Sequence, residues 1–597
     1  MMTHGTLAIL LTTLCTAAAH GQSPAPAGRA PAIPESFRQY RVIPSGPARF
    51  LASEEGRGFL LATGHPIAAS AIRAFGMPSE HTILPPNWLE GESVDAVAAP
   101  AACNSPSGVR FNLEPRAGAV PQNQPSVDFL PNRLGAGNDL IIEAATDWRG
   151  NLTSSRHWDQ SVSGYYVHRS ASVDCSTQFE GGLPNFMYQG NLEAGIGSGV
   201  VATDPARDAV FMADVRFGSI STGGVGIFRA AASTLLNPAA CPGGTHTAAQ
   251  ANSCWASTPP QLLFPAPVFD SVSDLPRIAV DERPFGAGVG AGDVYIVNPQ
   301  YDFNAQSTTA LLIACTNALT CGQPISASGS SSQAQFAYVG VRSDGLVTVS
   351  YLESNTDGTH TIMFTSCTPA GAPSAPTCGA PVTVAHLAHA IYPNLNLQAL
   401  VNIKILAYTY PKHAHRAESG GRFTTFLTYD VCKSPFHYGG NPPSGFEVCL
   451  NSEVMMTNST DNGHTWSTPV TVDTSGGHQF YPSIAIDSST GTVHIVYYST
   501  AGDFFRHSVR VFRTLIAAGG TSLGTPFPVT TLSVPIDNTP AGTGLLQSDF
   551  SLGAVARGTG VAGESRLYMS FDSTVVSGSY EGRADPELNN HISGLKY

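Results

Sequence analysis

The sequence predicts an all-β chain folded as a single β-propeller, a ring of four-stranded blades numbering seven or, on the alternative count, six. Three observations lead there. Charged residues are only 12% of the 597, while Gly (60) and Pro (44) are abundant, which suits many short strands joined by turns. No stretch carries a long helical periodicity. One unit also recurs from about residue 120 onward: an alternating apolar strand, often opened by Pro and closed by Asp, then a Gly- or Asp-containing turn and a second strand.

The clearest copies pair 481–487 with 492–498, and 276–281 with 293–297. Further copies start near Pro125, Val200, Ala337, Pro393 and Phe550, with second strands at 139–145, 209–214, 346–351, 422–430 and 566–571. The starts lie roughly 55 to 90 residues apart, room for a four-stranded blade and its loops. A propeller must seal its ring, and either the segment after Phe571 or residues 38–62 supplies the last strand.

Ahead of the repeats, an apolar run from Leu7 to Leu14 leads into small residues and Ala17-Ala18-Ala19, the pattern of a secretory signal cleaved near 19–21. The domain reading is therefore a signal peptide at 1–21, a Pro/Ala-rich linker at 22–35, a segment without clear repeats at 36–115, and the propeller at 116–597. Export is expected, and so are disulfides. Eleven cysteines are present, Cys15 leaves with the signal, and eight of the other ten fall as close pairs. Nearest-neighbour bridging gives Cys241–Cys254, Cys315–Cys321, Cys367–Cys378 and Cys432–Cys449, and leaves Cys103 with Cys175. Three of these bracket a loop after an apolar strand, and Cys432–Cys449 brackets an insertion between a second and a third strand. Metal binding is not expected, because no CxxC occurs. His413-Ala-His415 is flanked by Lys412 and Arg416 and reads as an exposed loop. A formal net charge of −13 argues against nucleic acid and anionic membranes as partners. No cofactor motif stands out, and a monomer is expected.

Residues 459–466 read Ser-Thr-Asp-Asn-Gly-His-Thr-Trp between two strand-like runs. Asp461 is placed to accept hydrogen bonds from the turn, Gly463 to supply its positive φ, and Trp466 to leave it as an apolar plug beside Ser459 and Thr465. The pattern resembles the Asp-box of sialidase-type (BNR) β-propellers, where it is a structural hairpin device away from the active site. The resemblance implies a secreted glycoside hydrolase acting on extracellular glycans, exo-sialidase-like. The alternative is a non-catalytic propeller that binds glycan or protein. It further implies three arginines that clasp a carboxylate, a Tyr nucleophile paired with Glu, and an Asp acid/base. Tyr40-Arg41-Val42-Ile43-Pro44 is similar to the first arginine motif, and Arg277 and Arg342 flank first strands. Tyr392 and Tyr481, with Glu143 and Glu353, are the nucleophile-pair candidates. In a propeller the residues ahead of each first strand ring the channel mouth. Here that ring is Gln124, Asp274, Gln335, Gln479, Gln547 and Asp549, side chains suited to hydroxyl-rich ligands.

Overall fold

The structure, a computed structural model, describes residues 112–113 and 122–596 apart from 137, 148–162, 171–174, 219–221, 256–257, 269, 392–406, 439–445, 502–507, 530–533, 536–551, 559–564, 574–578, 581–582 and 585–588. Arg41, Tyr392, Gln547, Asp549 and Cys103 lie outside the described residues, as do the signal, the linker and the start near Pro393.

The chain is a β-propeller. There are six blades, with first strands at Gln122–Leu130, Asn191–Asp204, Arg277–Val280, Ala334–Val341, Lys412–Ala417 and Gln479–Ile486. Each is built from one continuous stretch except blade 1, whose outer edge gains Gly244–Thr245 from blade 2, parallel to Cys175–Gly182. A further sheet, the closing sheet, joins the two ends. Leu552–Gly558, Ser565–Ser573 and Asn589–Lys596 pair in order, and Asn112–Leu113 pairs antiparallel with Asn589–Lys596 on the outside. First strand packs beside first strand around the ring, and that of the closing sheet packs beside that of blade 1. The seal thus comes from the C-terminal side, with two residues from ahead of position 116 added to it. The weak copies at Val200 and Ala337 are blades in their own right. In the fifth blade the first strand begins at Lys412.

Second strands are the most buried elements. Asp139–Asp147, Ala209–Gly218 and Val493–Ser499 are buried at every position, because each lies in the middle of a sheet packed face to face with its neighbours. That environment explains their Val, Ile, Phe and Tyr content. Apolar side chains from adjacent blades form continuous layers, such as Phe211, Ile227, Val294 and Ile313 between blades 2 and 3.

All four disulfides expected within the described residues form. Cys367–Cys378 ties the third strand of blade 4 to the start of its fourth. In blade 5 the same place, between Ser452–Ser459 and Val470–Thr471, holds the turn at 459–466. Asp461 accepts from Ser459 Oγ (2.8 Å), Thr465 N (2.9 Å) and Thr465 Oγ1 (2.6 Å), and the Trp466 indole donates to Gly463 O at 3.0 Å. Gly463 has φ of 87°, and a Cβ there would sit 2.3 Å from the Phe364 ring, so no other residue fits.

One irregularity recurs at the mouth of the channel. Gln124, Ser198, Leu275, Phe336 and Tyr481 have φ of 58°, 55°, 46°, 50° and 50°, each at the head of a first strand. Four of them coincide with a register shift against the second strand. At the fifth, Leu275 interrupts pairing between Ser271–Ser273 and Arg277–Val280. This is a β-bulge repeated blade by blade. Pro follows the bulged residue in three of the five, Pro125, Pro276 and Pro482, where the missing N–H costs no ladder bond.

Candidate functional site in the central channel

The bulge decides which side chains face the channel. Two residues beyond it stand Ser126, Val200, Arg277, Tyr338 and Ser483, and Lys412 opens the first strand of blade 5 two residues after Tyr410. All six line one cavity of about 250 Å³ enclosed by the first strands. The residues expected to ring the mouth lie two to four positions too early and turn into the blades instead. Gln124 Oε1 accepts from Thr146 Oγ1 and Ser198 Oγ. Gln335 donates to Ser354 Oγ, and Gln479 donates to Asp473 O. Asp274 is likewise buried. The three amides fasten strand ends.

Three consecutive blades supply the polar wall. Arg277 lies over the Tyr410 ring at 4.7 Å, and Lys412 Nζ lies 5.6 Å from the same ring. The Tyr410 hydroxyl donates to Ala337 O at 3.0 Å, which fixes the ring that both cations approach. Lys412 donates to Leu552 O at 2.8 Å. Among the described residues neither cation is within ion-pair distance of a carboxylate, whereas Arg216, Arg283, Arg342 and Arg557 each are. Burial, with Arg277 beside it, lowers the Lys412 pKa to about 7 against a counter-pull from Asp430. Burial raises the Tyr338 hydroxyl, and Arg277 partly offsets that.

Asp430, at the top of the second strand of blade 5, organises this wall from behind. Its carboxylate accepts from Tyr410 N (3.3 Å) and Tyr481 N (2.9 Å), spanning two blades. Burial pushes its pKa up to about 7 against those hydrogen bonds and Lys412. Further down the first strands the charge reverses. Arg557 of the closing sheet holds Asp128 (3.1 Å) and Glu282 (2.6 Å) and donates to Phe129 O and Thr203 Oγ1. Asp128 is two residues past Ser126, about 7 Å deeper in a strand.

The remaining expectations separate. Arg342 is just past the end of a first strand, at the opposite end from Arg277. It is bound to Asp344 and Asn462 and stacked on Phe423, so it cannot join Arg277 in a clasp. Glu143 pairs with His168 at 3.3 Å within blade 1. Glu353 stands on the second strand of blade 4, opposite Ala334. Tyr481 is buried against Tyr408 and Phe480 in blade 6. Those two glutamates and that tyrosine form no common site. His413 and His415 are not on an exposed loop: they sit on the innermost strand of blade 5. His413 is hydrogen-bonded to Thr348 Oγ1 and Ser350 Oγ, and burial pushes both histidines far below their usual range. Their flanking charges point elsewhere, Lys412 into the channel and Arg416 to Glu418.

Sequence reasoning missed Lys412, Tyr338, Tyr410, Ser126 and Ser483. One signal would have found three of these: in Pro125-Ser126, Pro276-Arg277, Pro411-Lys412 and Pro482-Ser483, the residue directly after the strand-opening proline faces the channel.

The fold and site define a β-propeller with a cationic patch in its channel. No family model matches the chain, and no curated protein matches it. Solved structures that it resembles include the Hadza microbial sialidase Hz136 (8% identity, 77% of this chain and 76% of that one, TM-score 0.37). A leech intramolecular trans-sialidase complexed with 2,7-anhydro-Neu5Ac also matches (10%, 84% and 70%, 0.31). So does an N-acetylgalactosamine deacetylase from F. plautii in complex with blood group B trisaccharide (10%, 54% and 89%, 0.29). Among the described residues no helix is long and apolar enough to cross a membrane. The four disulfides are consistent with an extracellular protein.

Proposed function

We propose that this chain is a secreted, sialidase-like propeller that captures acidic extracellular glycans, with Arg277 and Lys412 receiving the sugar's carboxylate in the channel. One observation carries the proposal: two cations, from blades 3 and 5, face a common cavity and, among the described residues, neither is within ion-pair distance of a carboxylate, the cavity's own Asp128 and Glu282 being held by Arg557, in a chain whose net charge is −13. A half-buried guanidinium without an anion is partly desolvated at a cost, and a ligand carboxylate offsets that cost by bidentate hydrogen bonding. Tyr338 supplies an aromatic face, and Ser126 and Ser483 hydroxyls, for the rest of the sugar.

Capture without turnover is the better supported class. Glu143 and Glu353 are separated from Tyr481, and Arg342 is committed to Asp344, so these residues do not supply the nucleophile pair or the clasp of an exo-sialidase. The test is a glycan array and a fluorogenic panel of α-sialosides and neutral glycosides, run on mature wild type, Arg277→Gln and Arg342→Gln. Binding of acidic glycans without turnover is expected. Arg277→Gln should lower affinity by about 10- to 100-fold, the value of one charged hydrogen-bonding partner, and Arg342→Gln should leave it unchanged. Sialoside turnover would establish the hydrolase instead. No preference for acidic over neutral glycans would refute the proposal.

A further inference from the structure

The cavity holds a lysine in an unusual setting. Lys412 opens an inner strand, so its side chain crosses the wall into the channel rather than reaching solvent, and it is 5% exposed. Its Nζ has one hydrogen-bond acceptor among the described residues, the Leu552 carbonyl, for three potential donors. The groups that face it are Arg277, whose guanidinium shares the Tyr410 ring, Tyr410 itself, and Asp430 behind. Asp430 is occupied by two backbone N–H groups. A primary amine that is desolvated and next to another cation is the arrangement that makes lysine nucleophilic.

We infer that Lys412 is a reactive amine that forms an imine with 2-oxo acids bound in the channel, with Arg277 holding the carboxylate and the adjacent ketone presented to Nζ. A 2-oxo acid matches the two groups because its carboxylate and carbonyl are on neighbouring carbons, and the two side chains approach one ring. The amine lone pair adds to the ketone carbon and a C–N bond forms. The carbinolamine then loses its hydroxyl with a proton from nitrogen, the C–O bond breaks, and the products are imine and water, so no oxidant or reductant is needed. The lowered Lys412 pKa supports the step, since the unprotonated amine is populated near neutrality. The inference shares its cavity with the acidic-glycan proposal but does not depend on any glycan being bound.

The test is trapping. The mature protein is incubated with pyruvate and borohydride at neutral pH, and peptides are mapped by mass spectrometry. The expected result is a carboxyethyl group on Lys412 at least about tenfold faster than on Lys433, a surface lysine whose side chain is 41% exposed. Arg277→Gln should slow the reaction with pyruvate and not with formaldehyde, which has no carboxylate. That variant keeps the lysine, so the result does not hang on whether a Lys412 variant folds. Lys412 labelled no faster than Lys433 by either reagent would overturn the inference. Glycan binding without trapping removes the imine chemistry and leaves the glycan proposal standing. Trapping without glycan binding does the reverse.

Discussion

Asp430 is the residue on which the polar wall of the channel rests, and its replacement gives the sharpest physical test. Its carboxylate is fully buried and satisfies two buried N–H groups, from Tyr410 and Tyr481. Asp430→Ala strands both donors. An orphaned buried donor costs about 1–3 kcal/mol, so the loss should be about 2–6 kcal/mol. Asp430→Asn keeps one carbonyl oxygen, which can accept from the closer donor, Tyr481 N, and should cost about 1–3 kcal/mol. Urea unfolding followed by circular dichroism reads both values. The carboxyl also predicts a pH dependence. In the folded chain it holds its proton up to about 7, while in the unfolded chain it releases it near 4. Between those values the folded state binds more protons, so stability falls as pH rises from about 4 to about 7. Asp430→Asn lacks that slope. An alanine variant as stable as the asparagine one, or an asparagine variant with the wild-type slope, would refute the assignment of Asp430 as a buried acceptor.

Two further substitutions probe the far end of the channel and the outer edge of blade 5. Arg557→Met removes the cation shared by Asp128 and Glu282 and strands a buried carboxylate at Asp128, an expected loss of about 3 kcal/mol by urea unfolding. Because burial already raises the Asp128 carboxyl against the pull of Arg557, the loss should lessen at acidic pH, where Asp128 takes up a proton. Asp461→Ala deletes three hydrogen bonds at the turn on the outer edge of blade 5 and should cost about 1–2 kcal/mol, with loosening visible in Trp466 fluorescence. The Thr465 and Ser459 bonds hold the Asp461 carboxyl at about 2 against the desolvation that raises it. Its contribution is therefore complete above about pH 4 and fades only as pH falls toward 2. A wild-type turn that loosens already at pH 5 would contradict that network.

The parts of this protein that could be read from its sequence are those whose cause is local. Second strands were placed within a few residues because alternation and β-branched content report burial between sheets directly. The disulfides followed from sequence proximity, since each bridge closes a loop within one blade. The turn at 459–466 is held by its own side chains, so its letters carry its geometry. The channel lining was missed for the opposite reason. A bulge is one extra residue against the neighbouring strand, and nothing in Gln124 or Tyr481 alone announces a positive φ. Yet that single residue moves the inward position by two. Lys412, Arg416, His413 and His415 read as solvated from composition, but their surroundings come from Tyr410, Leu552, Ala517 and Thr348, some of them more than a hundred residues away. Partners at that separation leave no trace in a local window.

The repeated bulge has a consequence for how such a site can change. Each blade contributes one side chain to the same depth of the channel, from a strand whose partners are otherwise its own second strand and its neighbours. Ser126, Val200, Arg277, Tyr338, Lys412 and Ser483 are therefore six positions that can change without disturbing the strands, with Arg277 electrostatically coupled to Lys412 and Tyr338. A library varying only these positions would sample new chemistries on an unaltered scaffold. Selection acting on single codons would have the same freedom, so two propellers of this kind could diverge completely in ligand while every strand, bridge and turn stayed in place.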